Sequence, residues 1–571
     1  MPTRWSGMEF NLVDDDWIPV VLTDGTSAEV SLRSVLTRAG QIRSLALDAP
    51  SQIPPVMRLL LAVLHRALQG PTSEKQWVSW WDAGAFDAEV VGRYLDEHRA
   101  RFDLFDPQSP FMQVGGLEAL NGKTKTAALL LPHIASGNNV PLFSAERDDR
   151  PAALSPAQAA RWLLHAHAWD TAAIKTGAVG DDQAVRGKTL SNPVGSLGQL
   201  GVVMPMGPTL WHSLMCNLLP LTSSEAGGTD LPVWERPPLS AQWSQRAPQG
   251  RLELFTWPAR RIRLVPEPAP EVPGQFVVRQ VVVCGGDRLS LETGQDLRAW
   301  MRSEPHSAWK RSSNLEKKRS FPLVYWPVRH QVERQLWRGL GPLLARAEPT
   351  TASAVRDAPT FQGPAVLSQL GSRARMTALK GMPLHVLAVG FEYGNQSAVI
   401  NEAYGDVLPL PVIVLSAQSD EWRHAVLDAV RATAAAVHAL AKLAENLAVA
   451  SGCRPSEEGL LAGHRERARE TAYAALDTPF RRWLSSLTES DADIDQTLDL
   501  WANEVRTIIR ARSGTLLNAT SPSAWHGHET EDGQVMDASL AEIYFHSALH
   551  KALHELLAPE DDPDDLEPPT P

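Results

Sequence analysis

Cysteine is scarce in this chain of 571 residues, and its placement says more than its number. Cys216, Cys284 and Cys453 lie far apart and form no CxxC pair. Neither a disulfide framework nor a cysteine-based zinc site is signalled. Long apolar runs are missing too. No segment approaches about eighteen consecutive apolar residues, so no membrane span and no membrane partner is expected. The N-terminal stretch MPTRWSGMEFNLVDDDW carries acids where a secretory signal needs an apolar core, and the chain is expected to stay in the cytoplasm. The common catalytic signatures are also absent. There is no GxxxxGK(S/T), GxSxG or HExxH, and the glycines of GSLGQLG (195–201) do not follow GxGxxG. Asp14, Asp15 and Asp16 are adjacent, and spacing alone does not bring them to one site. Nothing here demands an enzyme, a cofactor or a metal.

What is present begins with charge. The net charge of −12 argues against a general nucleic-acid binder. The excess is uneven, however. EDDPDDLE (560–567) is acidic without a single base, whereas RAWMRSEPHSAWKRSSNLEKKRS (298–320) is strongly basic and carries Trp300 and Trp309 among its cations. Such a run reads either as a solvated loop or as a local contact with phosphates.

The length implies more than one core. Residues 9–22 read as a strand, a turn and a second strand, and Pro54–Leu68 as an apolar helix. Residues 103–150 break into Gly, Asn and Pro. Ser155–Ala168 reads as a helix with Ser at its N-cap and Pro in its first turn. His165 and His167 on it read as packing or capping residues. A glycine-rich stretch follows, then strands at 251–265 and 275–284. From Ser419 onward the apolar residues recur at three- and four-residue steps, predicting helices over about 420–450, 457–487, 491 onward and 538–557. A longer link joins the last two, over about 513–536. The expected fold is therefore α+β: a large mixed α/β domain over 1–412, a C-terminal four-helix bundle over 416–558 and an acidic disordered tail over 559–571.

Two features ask for a chemical reading. GFEYGNQSAVI (390–400) lies between two strand-like runs and predicts a hairpin tip. A turn has backbone reasons for Gly394 and Asn395, but none for the long amide of Gln396. His546, His550 and His554 fall four apart on one helical face, a spacing that suits zinc but more often marks a polar stripe.

Several segments recur in a telling order: NLVDDDWIPV, SPFMQVGG, the Asn/Pro loop ending in PLF (141–143), IKTGAVGD, YGNQSAVI and the terminal helices. That order resembles the large subunit of the type I-E CRISPR Cascade surveillance complex, the CasA family. The resemblance covers essentially the whole chain, and NLxxxxWIPV is its best single marker.

The resemblance implies a non-catalytic subunit that checks the protospacer-adjacent motif in double-stranded DNA from the minor groove. It also implies that the subunit starts strand separation and R-loop formation and helps recruit a helicase-nuclease. Implied partners are crRNA and the backbone, small and handle-binding subunits. By position, Lys175, Thr176, Gly177, Ala178, Val179 and Gly180 would form the motif-reading glycine loop. Asn395, Gln396 and Ser397 would be a wedge. Asn138, Asn139 and Phe143 would engage the crRNA handle and backbone subunit. The family's lysine finger has no clear match, with Arg288 and Lys310 the nearest candidates. Arg311, Lys317, Lys318 and Arg319 are expected to follow the DNA backbone. The competing readings are a metal-dependent enzyme using the His546/His550/His554 face and a purely structural scaffold.

Overall fold

The computed structural model describes residues 9–134, 152–221, 228–269, 275–346, 358–374, 376, 379, 381–417, 420–454, 456–487, 493–529, 533–554 and 556. The chain forms two compact units. One comprises 1–370 with 383–407, the other 371–382 with 408–571.

The first unit opens on a turn where a strand is expected. Asn11 makes only an isolated bridge to Asp103. Polar side chains capture the backbone instead: the Asn11 N–H donates to Asp15 Oδ2 at 2.6 Å, and the Val13 N–H to Asn11 Oδ1 at 3.1 Å. Trp17, fully buried, donates its indole N–H to the Leu12 carbonyl at 2.9 Å. The NLxxxxW pattern thus encodes a closed Asx-type turn. Strands β1 (Ile18–Leu22), β2 (Ser27–Val30) and β3 (Ile42–Leu45) follow as an antiparallel sheet in the order β2-β1-β3.

Helix α1 (Ile53–Leu68) is apolar nearly all round and lies inside the unit, with the buried Arg58 paired to Glu304 at 2.5 Å. Helix α2 (Pro156–Trp169) starts at a capping box formed by Ser155 and Gln158 and buries almost every residue. Its histidines are packing groups. His165 Nε2 lies 3.1 Å from Ser51 Oγ, and His167 Nε2 lies 2.9 Å from the Met112 carbonyl. Burial lowers both, His165 to about 3 and His167 to about 4.

The central sheet joins β4 (Lys125–Thr126), β5 (Ala173–Thr176), β6 (Lys188–Asn192), β8 (Arg260–Pro268) and β9 (Phe276–Gly285). Its order is β4-β9-β5-β6, with β8 antiparallel to β9. The strand expected from 251 begins only at Arg260. Arg251–Phe255 is a short helix, because Asp230 accepts the N–H groups of Leu252 and Glu253, each at 2.9 Å. That cap comes from more than twenty residues upstream, so local periodicity does not reveal it.

The basic stretch is not a solvated loop. It folds as α3 (Gly294–Ser303), a strand, β10 (Trp309–Arg311), and α4 (Ser313–Arg319). Trp300 and Trp309 are buried edge to face, 5.3 Å apart, and are not interleaved with exposed cations. Strand β10 is central in an antiparallel sheet between β11 (Tyr325–Pro327) and β12 (Phe361–Gln362). A further sheet has the order β14-β13-β7, from β7 (Val202–Met206), β13 (His385–Tyr393) and β14 (Ile400–Pro409).

The second unit is built on four long helices: α5 (Glu421–Ala450), α6 (Glu458–Ser485), α7 (Ile494–Asn518) and α8 (Ala538–His554). Helix α5 packs against the other three. Phe480, Trp483 and Trp501 cluster in its core, and the Trp501 indole donates to Thr433 Oγ1 at 3.0 Å. The long link is shorter than expected. Helix α7 continues to Asn518, and a short helix at Pro522–His526 and a small hairpin occupy part of the remainder. No described helix is long and apolar enough to cross a membrane. Cys216 and Cys284 are buried, and Cys453, in the second unit, is half-buried.

Candidate nucleic-acid interface

The finger formed by β13 and β14 ends at Asn395–Ser397. Its turn is closed by the Gly394 N–H to the Val399 carbonyl at 2.9 Å and the Ser397 N–H to the Gly394 carbonyl at 2.7 Å. The unusual backbone lies one residue later than a Gly-Asn turn suggests. Gln396 (φ 51°) and Ser397 (φ 57°) take the left-handed conformation, and Gly394 does not. Gly394 serves close packing instead, since a Cβ there would sit 2.3 Å from Asn401 Oδ1. Left-handed backbone at a non-glycine residue costs about 1–2 kcal/mol. Strain of this kind concentrates at functional sites. Asn395 and Gln396 are exposed, and neither amide side chain has an intramolecular partner among the described residues.

The finger is anchored at its root. Tyr393 donates its hydroxyl to the Trp169 carbonyl at the end of α2, at 2.7 Å. Phe391 packs on Trp169 and His165. Burial and the nearby Asp170 charge push the Tyr393 phenol far above its usual value, so it remains a donor. Tyr393→Phe is expected to lower stability by about 1 kcal/mol. It should also speed hydrogen exchange of residues 394–400, measured on the folded chain; unchanged exchange would show that the tip is held elsewhere.

Strands β5 and β6 carry the glycine loop. Its residues differ widely in exposure. Gly177 and Ala178 are buried, and Ala178 packs with Val114, Leu117, Ala119, Val282 and Cys284. A Cβ on Gly177 would lie 2.8 Å from Ala184 Cβ and 2.9 Å from Leu120 Cδ1, so this glycine answers to packing against its own loop and the segment at Leu120. Lys175 turns inward: its Nζ lies 2.7 Å from Asp170 Oδ2. Arg260 Nε meets the same oxygen at 2.5 Å, and its guanidinium also donates to the Thr171 and Pro193 carbonyls. Burial by itself would raise the Asp170 carboxyl, but the two cations outweigh it and hold it at about 2. Burial pushes the Lys175 ammonium below its usual value, and Asp170 opposes that shift.

Thr176 is half-buried, so the exposed part of the loop is Val179, 51 % accessible, with Gly180 (φ +85°). Beyond them lies a tight turn in which Arg186 and Gly187 both have positive φ, the two-residue geometry that suits a twisted hairpin. Lys125, Arg186 and Lys188 are exposed around this sheet with no acidic partner among the described residues. Sequence reasoning passed over them; cations flanking a glycine in a short hairpin are the signal that could have found them.

Strand β5 and the segment after the finger tip border the same space. One cavity of about 230 Å³ is lined by Lys175 and Thr176 from β5, by Ala398 and Ile400 beside the finger tip, and by Asp170 and His165.

The remaining candidates separate. Arg288 is not a free finger: it donates to the Leu190 carbonyl at 2.6 Å and lies 3.7 Å over the Trp243 ring, pinning β6. Arg311 is held by Glu316 at 2.7 Å, and Arg319 donates to the Leu291 carbonyl. Lys310, Lys317 and Lys318 are exposed. Asn138, Asn139 and Phe143 lie outside the described residues. His546, His550 and His554 are exposed along α8; His550 and His554 stack on each other, and His546 lies 3.6 Å from Glu542. Among the described residues, no three His, Cys, Asp or Glu side chains converge as metal ligands.

Against known protein families, residues 11–511 match the model for CRISPR-associated protein Cse1. The chain belongs to the Cse1 family. The CRISPR-associated protein CasA/Cse1 of Thermus thermophilus is 29% identical over 514 residues, 87% of this chain and 90% of that protein. The Cse1 crystal structure from Acidimicrobium ferrooxidans superposes with a TM-score of 0.81 at 32% identity, over 96% of this chain and 99% of that one. A chain of a CRISPR RNA-guided surveillance complex shares the fold, with a TM-score of 0.61 at 19% identity over 89% of this chain and 99% of its own length. This Cse1 chain is thus α+β, with its long helices at the C-terminal end.

Proposed function

We propose that this Cse1 chain is the large, non-catalytic subunit of a crRNA-guided type I-E Cascade complex, working in the cytoplasm. In this reading it recognises the protospacer-adjacent motif in double-stranded DNA from the minor groove, begins unwinding and R-loop formation, and helps recruit a helicase-nuclease. Its partners are crRNA, the backbone, small and handle-binding subunits, and target DNA. The observation that supports the reading is the shared cavity: strand β5, which leads into the glycine loop, and Ala398 and Ile400, just past the finger tip, line one space, so a reader and a wedge carried on these elements lie close enough to act on neighbouring base pairs.

The chemistry supports the division of labour. Opening a base step costs a few kcal/mol, which inserted groups must offset. Exposed neutral amides on a root-anchored finger can bond base edges that have just lost their partners, without desolvating a charge. R-loop exchange is near balance overall, so a push at the first pair matters most. The minor groove is narrow and its pattern degenerate, which suits a small surface such as Val179-Gly180 and predicts tolerance of several motifs. The cations Lys125, Arg186 and Lys188 beside it suit phosphates. In the helical unit, exposed Leu500, Ile543 and Tyr544 offer apolar area for the small subunits.

The test is a duplex-DNA footprint of the assembled complex, with and without this chain, together with Val179→Asp. That residue is exposed, so the fold should be kept. The added carboxylate should repel the groove and reduce the preference for motif-bearing over motif-free duplex by about tenfold, roughly 1.4 kcal/mol. An unchanged preference would place the reader elsewhere. Gly177→Asp is the poorer probe, because it would collapse the loop's own packing.

A further inference from the structure

A second, larger cleft lies over the β11-β10-β12 sheet, with a volume of about 1010 Å³. Its floor is a row of three side chains. Lys310 on β10 stands directly opposite Trp326 on β11 and Phe361 on β12. Facing residues in such pairs have Cβ atoms about 5 Å apart, so the lysine lies between two rings. The Lys310 ammonium is 5.8 Å from the Phe361 centroid. Alternation turns Trp309, Tyr325 and Gln362 to the opposite, buried face.

The lining residues include five bases and no acid. Arg311 is neutralised by Glu316. Lys310 and Arg334 are exposed and have no carboxylate partner among the described residues. Arg329 is exposed as well, and its side chain donates to a backbone carbonyl, that of Gln199, at 3.3 Å. Uncompensated cations around a two-ring platform match one kind of occupant closely. Phosphates take the cations, and bare base faces take the rings. A duplex hides its base faces and would leave the rings unused; an acidic peptide would do the same.

We propose that this cleft holds a short run of single-stranded DNA, with bases on Trp326 and Phe361 and phosphates on Lys310, Arg329 and Arg334. The source lies on the same ribbon, because Tyr404, which lines the cleft, belongs to the outgoing strand of the finger. It stands about seven residues beyond Ser397, roughly 23 Å at about 3.3 Å per residue. A strand released at the tip therefore has a landing site along β14. The assignment of that strand rests on the wedge reading above; the binding chemistry of the cleft does not.

The experiment uses the full chain and a labelled oligothymidylate of about twelve nucleotides, followed by fluorescence anisotropy at several salt concentrations. The double variant Arg329→Ala/Arg334→Ala should bind about tenfold more weakly, with the slope of log K against log salt reduced by about 1.4. Arg334→Ala alone, at an exposed side chain without a side-chain partner among the described residues, should show about half that slope change and keeps the test independent of folding. An abasic strand of equal length should bind the unaltered chain about tenfold more weakly. Equal binding of the abasic strand, or no loss in the arginine variants, would overturn the proposal. Tighter binding of the matching ribonucleotide strand would overturn its assignment to DNA. If Gln396→Ala opens duplex normally while the oligonucleotide results hold, the wedge reading fails and the cleft stands.

Discussion

Asp170→Asn is expected to lower the stability of this Cse1 chain by about 3–5 kcal/mol, read as a lower denaturant midpoint at unchanged slope. The carboxylate is the shared counter-charge of Lys175 and Arg260, whose side chains are only 11% and 1% exposed. Asparagine keeps the shape and removes the charge, leaving two largely buried cations without their anion. The pH dependence gives an independent check. The folded carboxyl titrates at about 2, below its ordinary 3.8. A depressed carboxyl contributes stability that is complete above about pH 4 and is lost as pH falls through about 2, since the unfolded state takes up the proton first. The asparagine variant should lack that part of the acid transition. Adding Lys175→Met should recover part of the loss, because one stranded cation goes with it. A full-strength single variant would mean that water, and not Asp170, neutralises the cluster.

Gln396→Gly is expected to do the reverse: keep or raise stability while slowing duplex opening. Glycine accepts the left-handed backbone that Gln396 adopts at a cost of about 1 kcal/mol, so the midpoint should hold or rise by up to that amount. The amide that would meet unpaired base edges is gone. Opening of the first pair, followed with a fluorescent base analogue in the assembled complex, should slow by about tenfold, or about 1.4 kcal/mol of barrier. A variant both more stable and equally fast would show that the tip's conformation is a folding accident and that the wedge lies elsewhere.

These two residues also mark what was legible in the sequence. Gln396 stood out because its chemistry exceeds what a turn needs, and a local pattern can show that. The C-terminal helices were legible for the same reason: their apolar spacing is written within each segment. The inward turn of Lys175 was not legible, because its anion Asp170 is shared with Arg260, ninety positions further on, and the ion cluster exists only after α2, β5 and β8 assemble. Gly177 is expected in the motif-reading loop, and the packing demand that Ala184 and Leu120 place on it is not visible in a local pattern. Trp300 and Trp309 appeared to alternate with cations; a helix followed by a short strand turns both inward and leaves Lys310 out. The Lys310-Trp326-Phe361 row was invisible because its members come from three strands spread over some fifty residues.

The three cysteines end up in unequal positions. Cys216 and Cys284 are enclosed, and burial pushes the Cys284 thiol up to about 12, where almost no thiolate forms near neutrality. Cys453 sits half-exposed just after α5. A maleimide dye added to the unmodified protein should therefore couple at one position, giving a ready-made optical reporter on the helical unit without any engineered handle.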